Sequence, residues 1–145
     1  MRFKDRHIQL TDRPTIIIGE RPGRQRLTDQ NGLVFHGNRT GDFVEEWVKD
    51  RTNIVLTNIQ QVYYPGRARF KGTEHSNGII SLHNLVARMR PKHVVCLGQY
   101  ATKCLVMISC LPEDCKVTSL PHPSYILRFN KTELIQLYNE ALQHN

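Results

Sequence analysis

The chain has 145 residues, of which 39% are hydrophobic and 23% charged. That is enough for one compact domain with a real core and too little for two. No apolar run approaches the roughly 20 residues of a membrane-spanning helix. Met1 to His7 lack the apolar centre of a secretory signal. The expectation is a single cytoplasmic domain over residues 1–145, acting as a monomer, with no membrane partner. The net charge of +7 points to a polyanionic partner. Its distribution adds to this: Arg21, Arg24, Arg26, Arg39, Arg67, Arg69, Lys71, Arg128 and Lys131 fall in or beside predicted loops. Cys96, Cys104, Cys110 and Cys115 form no Cys-x-x-Cys pair and have no zinc spacing with the seven histidines. They read as reduced thiols used as small hydrophobes, and no metal site is predicted.

Residues 1–13 are polar and mixed, and read as an arm or irregular start. Pro14 to Gly19 is a β-branched run closed by glycine, a buried strand. A long loop follows from Glu20 to about Gly41, and loops of that length in compact domains are more often functional than idle. Asp42-Phe43-Val44-Glu45 has capping-box spacing and predicts a helix to about Asp50. Phe43, Val44, Trp47 and Val48 form its apolar face, with Trp47 in the core.

Asn53 to Thr57 reads as a second strand with Asn58 at its end. Residues 59–75 mix aromatic and basic side chains. They suit either a nucleic-acid strand or a solvated loop whose aromatics pack on the body, and the sequence weighs the two equally. Ile79, Leu82, Leu85, Val86 and Met89 predict a helix from about Ser76 to Arg90, stopped by Pro91. His93 to Gly98 is a third strand, Tyr100 to Ile108 a helix, and Lys116 to Leu120 a fourth strand. A loop from Pro121 to Arg128 follows. Asn130-Lys131-Thr132-Glu133 has capping-box spacing for a terminal helix.

Strands that alternate with helices predict a three-layer α/β/α sandwich around a four-stranded, mostly parallel sheet. In such sheets ligands bind at the C-terminal strand ends. Here those ends carry Gly19-Glu20, Asn58, Gly98-Gln99 and Pro121-His122. The turn at Glu20-Arg21-Pro22-Gly23 can bring backbone N–H groups to a ligand, or be a plain tight turn. Asn58 offers a donor and an acceptor side by side, matching the edge of a uracil-like base, or is a simple turn residue. Phe35 lies on a glycine-flanked loop suited to a stacking ring. His122, held between Pro121 and Pro123, is either a fixed donor or a loop-bracing side chain.

The ordered set Gly19-Glu20-Arg21-Pro22-Gly23, Gly32 to Gly41 with Phe35, Thr57-Asn58, Arg90-Pro91 before Val94 to Gly98, and His122-Pro123-Ser124-Tyr125-Ile126-Leu127-Arg128 resembles the uracil-DNA glycosylase superfamily. It is most similar to the branch with Gly-Glu-x-Pro-Gly and His-Pro-Ser motifs, over residues 14 to 130. The resemblance implies hydrolytic base excision from DNA, without a metal or organic cofactor, on a flipped-out uracil or related modified pyrimidine. It gives Glu20 and Gln25 to the attacking water, Phe35 to stacking, Asn58 and Gly19 to the base, and His122 to the leaving anion. Arg21, Pro22, Gly23, Gln25, Pro123, Ser124 and Arg128 would meet the DNA backbone, with Tyr125 to Leu127 filling the vacated stack.

The chain departs from that branch in three ways, one being Arg21 beside Glu20, where an ion pair would lower the carboxylate's basicity. The branch's iron–sulfur cysteines are absent, with Val62 where one is expected. Arg24, Gln25 and Arg26 stand where a second acid often follows the first motif, leaving Glu20 as the one candidate carboxylate. The alternatives are a catalytically silent DNA-binding or accessory protein on the same fold and, outside the family, a small α/β nucleotide-binding protein.

Overall fold

The computed structural model describes residues 2–63 and 72–143. Among these residues five strands form one sheet in the order β1-β3-β2-β4-β5. β2 (Thr15–Gly19), β3 (Ile54–Asn58) and β4 (His93–Leu97) are buried along their whole length. β5 (Lys116–Leu120) is an edge strand, largely exposed until Leu120. These four strands run parallel, with β2 between β3 and β4. The fifth strand, β1 (Arg6–Ile8), pairs antiparallel with β3. Only three residues long, polar and half-exposed, it carries no alternation a sequence reader could use. It corrects the reading of residues 1–13 as an irregular arm, and its charged side chains suit an edge.

The β-strand period of two sorts the apolar residues into two cores. Ile17, Leu56, Val95 and Leu97 point to the face covered by α1 (Arg39–Val48), α4 (Pro123–Phe129) and α5 (Ile135–Ala141). Ile16, Ile18, Val55, Val94 and Cys96 point to the face covered by α2 (Gly72–Met89) and α3 (Gln99–Val106). The expected three-layer α/β/α architecture is thus observed, with a fifth strand added. Trp47 is in the first core, 6% exposed, with its indole N–H bonded to the Tyr138 carbonyl at 2.8 Å.

Four element boundaries differ from expectation, one of them the start of α2 at Gly72, four residues before Ser76. Helix α1 starts three residues before Asp42. Its cap is Asn38, whose side chain accepts from the Gly41 N–H at 2.8 Å. Asp42 instead receives both arms of the Arg26 guanidinium at 2.9 and 3.0 Å, which holds its carboxyl below the usual range. The stretch after His122, expected as a loop, is the helix α4. Pro123 occupies its first turn, where a missing N–H costs nothing. Asn130 closes α4 in the left-handed conformation and does not cap the terminal helix; a 3-10 turn, Thr132–Leu134, intervenes before α5. In the aromatic and basic segment, Tyr64 to Lys71 lie outside the described residues.

Among the described residues no helix is long and apolar enough to cross a membrane. Nor do any three His, Cys, Asp or Glu side chains gather as a metal site there.

Candidate active site

Because β2, β3 and β5 are parallel, their C-terminal ends lie on one side of the sheet. There Glu20, Phe35, Asn58, His122 and Ser124 line one cavity of about 480 Å³. Four parts of the chain separated by up to about a hundred residues meet in it. Arg24 and Arg39, read from the sequence only as loop cations, and Asn38 and Thr40, left unassigned, complete its wall with Arg21, Pro22 and Gly23. A volume of this size suits a small ligand, and Glu20 is the one carboxylate among the described lining.

Gly19 explains how the pocket closes around a ring. A Cβ there would lie 2.3 Å from Phe35 Cζ and 2.4 Å from Asn58 Oδ1. The ring and the amide therefore converge on the backbone of β2, and only glycine leaves room. Two hydrogen bonds past the strand ends, Ile59 N–H to the Gly19 carbonyl and Gln60 N–H to the Glu20 carbonyl, both 3.0 Å, lock Glu20 beside Asn58. Asn58 is 5% exposed, and its Oδ1 is buried without a protein hydrogen-bond partner. A buried orphan acceptor in a ligand-sized cavity is what an incoming N–H would satisfy.

Phe35 sits in the left-handed region at φ 52°, rare for a bulky residue, so the surrounding loop has to hold it there. Two sets of contacts do so. Gln25 is buried, with its amide facing into the loop. Its Nε2 donates to the carbonyls of His36 (2.9 Å) and Leu33 (3.2 Å), and its Oε1 accepts from the Gly32 N–H at 3.1 Å. On the other side, the Arg6 guanidinium donates to Glu45 at 3.1 Å and to the Phe35 carbonyl at 3.4 Å. His36 Nδ1 lies 2.6 Å from the same Glu45 carboxylate. Gln25, expected at the water or on DNA, is thereby committed to bracing the loop that carries Phe35.

His122 caps α4. Its Nδ1 accepts from the Ser124 N–H at 3.1 Å, with Ser124 Oγ 2.7 Å away. Burial pushes its pKa down to about 4, so the ring is neutral at physiological pH. A neutral imidazole whose Nδ1 accepts must carry its proton on Nε2. His122 thus both braces the loop and presents a donor. Its backbone is held from behind: the Tyr138 hydroxyl donates to the Pro121 carbonyl. Gly98, at φ 93°, would place a Cβ 3.3 Å from His122 Cβ, so glycine permits the close approach of α3.

On α4 the predicted DNA-facing residues divide. Ser124, Tyr125 and Arg128 are exposed, Leu127 is half-buried, and Pro123 and Ile126 are buried. Arg39 Nη2 donates to the Leu127 carbonyl at 3.5 Å and ties α4 to the pocket wall. Phe129, 54% exposed, was not predicted; its position four residues after Tyr125 is a signal once the segment is known to be helical.

The model of the uracil DNA glycosylase superfamily matches residues 7–143. A search of curated proteins finds no match. Among solved structures, the chain is similar to wild-type SMUG2 of Pedobacter heparinus. The TM-score is 0.55 and the identity 13%, over 89% of this chain and 72% of that one. At that identity the likeness speaks for the fold. The family model, spanning nearly the whole chain, shows that the protein belongs to the uracil DNA glycosylase superfamily.

Proposed function

We propose that the protein is a monofunctional DNA glycosylase that hydrolyses the N-glycosidic bond of uracil, or a related modified pyrimidine, in DNA. The observation that carries this reading is the meeting of Glu20, Phe35, Asn58 and His122 in one cavity at the strand ends. The target nucleotide leaves the stack and enters the pocket. Its ring lies on Phe35, and Asn58 reads its edge, with the orphan Oδ1 accepting from the base N3–H. As the C1′–N1 bond breaks, its electron pair leaves with the base. The Nε2–H of neutral His122 then donates to the developing charge on O2, a role worth about 10²–10³ in rate for a preorganised donor. Water oriented by Glu20 adds to the sugar cation at C1′, and the proton it loses is taken up by Glu20 or the departing base. Arg21, Pro22, Gly23, Pro123, Ser124 and Arg128 hold the flanking backbone.

The test is excision from single- and double-stranded oligonucleotides carrying one uracil, read by alkali cleavage. No cut strand at large enzyme excess would remove uracil as the target. The single carboxylate favours a second reading, a DNA-binding protein on the same fold without catalysis. It predicts uracil-independent, salt-sensitive binding in place of cleavage.

A further inference from the structure

We propose that the free edge of β5 is a docking site for an extended, acidic segment of a partner protein, which adds to the sheet as a further strand.

The backbone sets the site. The Lys116 N–H donates to the Lys92 carbonyl at 3.0 Å, and the Leu120 carbonyl accepts from the Gly98 N–H at 2.8 Å. In a parallel ladder each residue turns both of its backbone groups to the same side. Lys116, Thr118 and Leu120 therefore face β4, while the N–H and C=O groups of Val117 and Ser119 face away from it. Among the described residues nothing pairs with those outward groups, since β5 is the last strand of the sheet. Proteins ordinarily blunt such an edge by shortness, charge or cover. The opposite edge, β1, is three residues long and carries Arg6 and His7. β5 is five residues long, and apolar side chains border it.

Strand alternation puts Val117 on the α3 side of the sheet with Ser119, whose Oγ lies 3.0 Å from Thr102 Oγ1 of α3. Helix α3 runs back from the end of β4 toward the start of β5. Val106, one turn after Thr102, is thereby displaced in the same direction as Val117. Val106 is 80%, Met107 63% and Val117 47% exposed. An apolar strip beside unpaired backbone supplies both parts of strand addition: main-chain bonds for affinity and apolar contacts for alternate side chains.

The surrounding charge selects the occupant. Lys92, Lys103 and Lys116 are exposed around the strip. Of the two acids just before β5, Asp114 is taken by both arms of Arg13 at 2.6 and 2.7 Å, which leaves Glu113. A second copy of the chain would set the same lysines against these, whereas an acidic strand neutralises them. Val106, Met107, Val117 and Ser119 lie outside the lining of the strand-end cavity, so a docked segment leaves it open.

The probe is a fluorescein-labelled peptide of alternating valine and glutamate, about eight residues long to match an ordinary strand. A second peptide has lysine in place of glutamate. Binding is followed by anisotropy and by amide hydrogen exchange in NMR spectra of the whole chain. Wild type should bind the glutamate peptide saturably and the lysine peptide at least about tenfold more weakly. Exchange should slow at Val117 and Ser119 and stay unchanged at Thr118, which is already paired with β4. Val117→Pro removes an outward N–H without breaking a bond to β4, and Val106→Asp/Met107→Asp breaks the apolar strip. Thermal melting confirms that both fold, and each should weaken the peptide about tenfold. No saturable binding, equal affinity for the two peptides, or full affinity in both variants overturns the proposal. So does slowed exchange at Glu20, Asn58 or His122 in place of Val117 and Ser119, which marks the peptide as an anion in the strand-end cavity. Concentration-dependent dimerisation in sedimentation, abolished by Val117→Pro, assigns the edge to a second copy and overturns the partner.

Discussion

Gly19→Ala isolates the convergence of Phe35 and Asn58. Gly19 has ordinary strand geometry, so alanine brings no torsional penalty, and the whole effect is steric. The new methyl would meet Phe35 Cζ at 2.3 Å and Asn58 Oδ1 at 2.4 Å, where real Cβ contacts essentially never fall below 3.0 Å. One or both groups must retreat by more than about half an ångström. Neither has an easy path: Phe35 is held by the Gln25 and Arg6–Glu45 contacts, and Asn58 is 5% exposed. Overpacking of this kind costs about 1–3 kcal/mol of stability. Displacing substrate-orienting groups by up to 1 Å costs catalysis about a hundredfold. The assay is single-turnover excision from a uracil oligonucleotide, with thermal melting and uracil-free DNA binding alongside. A melting point lower by a few degrees, a rate about a hundredfold down and unchanged DNA binding are expected. If the variant melts like wild type and cleaves within about twofold of it, neither group meets the base.

Asn58→Ala and His122→Ala should each lower excision by at least about 10² while leaving salt-dependent DNA binding nearly intact; normal cutting by both would place the site elsewhere. Because burial lowers the His122 pKa to about 4, NMR titration should find the ring neutral from pH 8 down to about 5. The sign for stability follows: the unfolded chain takes up this proton near pH 6.5 and the folded one does not. The contribution is therefore present in full above that pH and is lost as pH falls toward 4. An inflection of the His122 resonance near 6.5 would contradict the neutral donor. Glu45→Ala should release Arg6 and His36 from the Phe35 loop and raise KM or lower kcat on uracil DNA by several-fold. Binding to uracil-free DNA, read by fluorescence anisotropy, should not change. Affinity for DNA should also drop steeply between about 50 and 200 mM salt, as phosphate contacts require.

The sheet was legible in the sequence wherever burial made a strand uniformly apolar. Ile16 to Ile18, Ile54 to Leu56 and Val94 to Leu97 read as strands because both of their faces are covered. β1 was not legible, since its three residues are recruited by pairing with β3 and not by any pattern of their own. The same division holds at the site. Strand-end positions follow from parallel topology, so Glu20, Asn58 and His122 could be named in advance. Gln25 was misread because a glutamine in a polar loop looks solvent-facing. Its burial depends on the loop folding back so that His36, Leu33 and Gly32 surround one amide, a long-range fact with no local signature. Asp42 likewise had capping-box spacing, but Asn38 took the cap and Arg26 took Asp42.

These two kinds of residue imply a division of labour in the pocket. Backbone hydrogen bonds past the strand ends fix Glu20 and Asn58, while His122 follows β5 and is held also by the Tyr138 hydroxyl on the Pro121 carbonyl. Phe35 is held by the side chains of Gln25, Arg6 and Glu45 in addition to backbone hydrogen bonds between its loop and Lys4, and it sits at a strained φ. Strain held by side chains is the part of a site most easily relaxed by substitution. Asn58 and His122, which the proposed function gives to the base edge and the leaving group, are therefore stiffer than Phe35, its proposed stacking ring, which can be moved by changes that never touch the pocket. Under the proposed function, discrimination among pyrimidines of different size would fall to the loop from Gln25 to Gly41, and discrimination of the base edge to the sheet. Substitutions in the loop should alter which modified pyrimidine is accepted before they abolish excision, and substitutions at Asn58 should do the reverse.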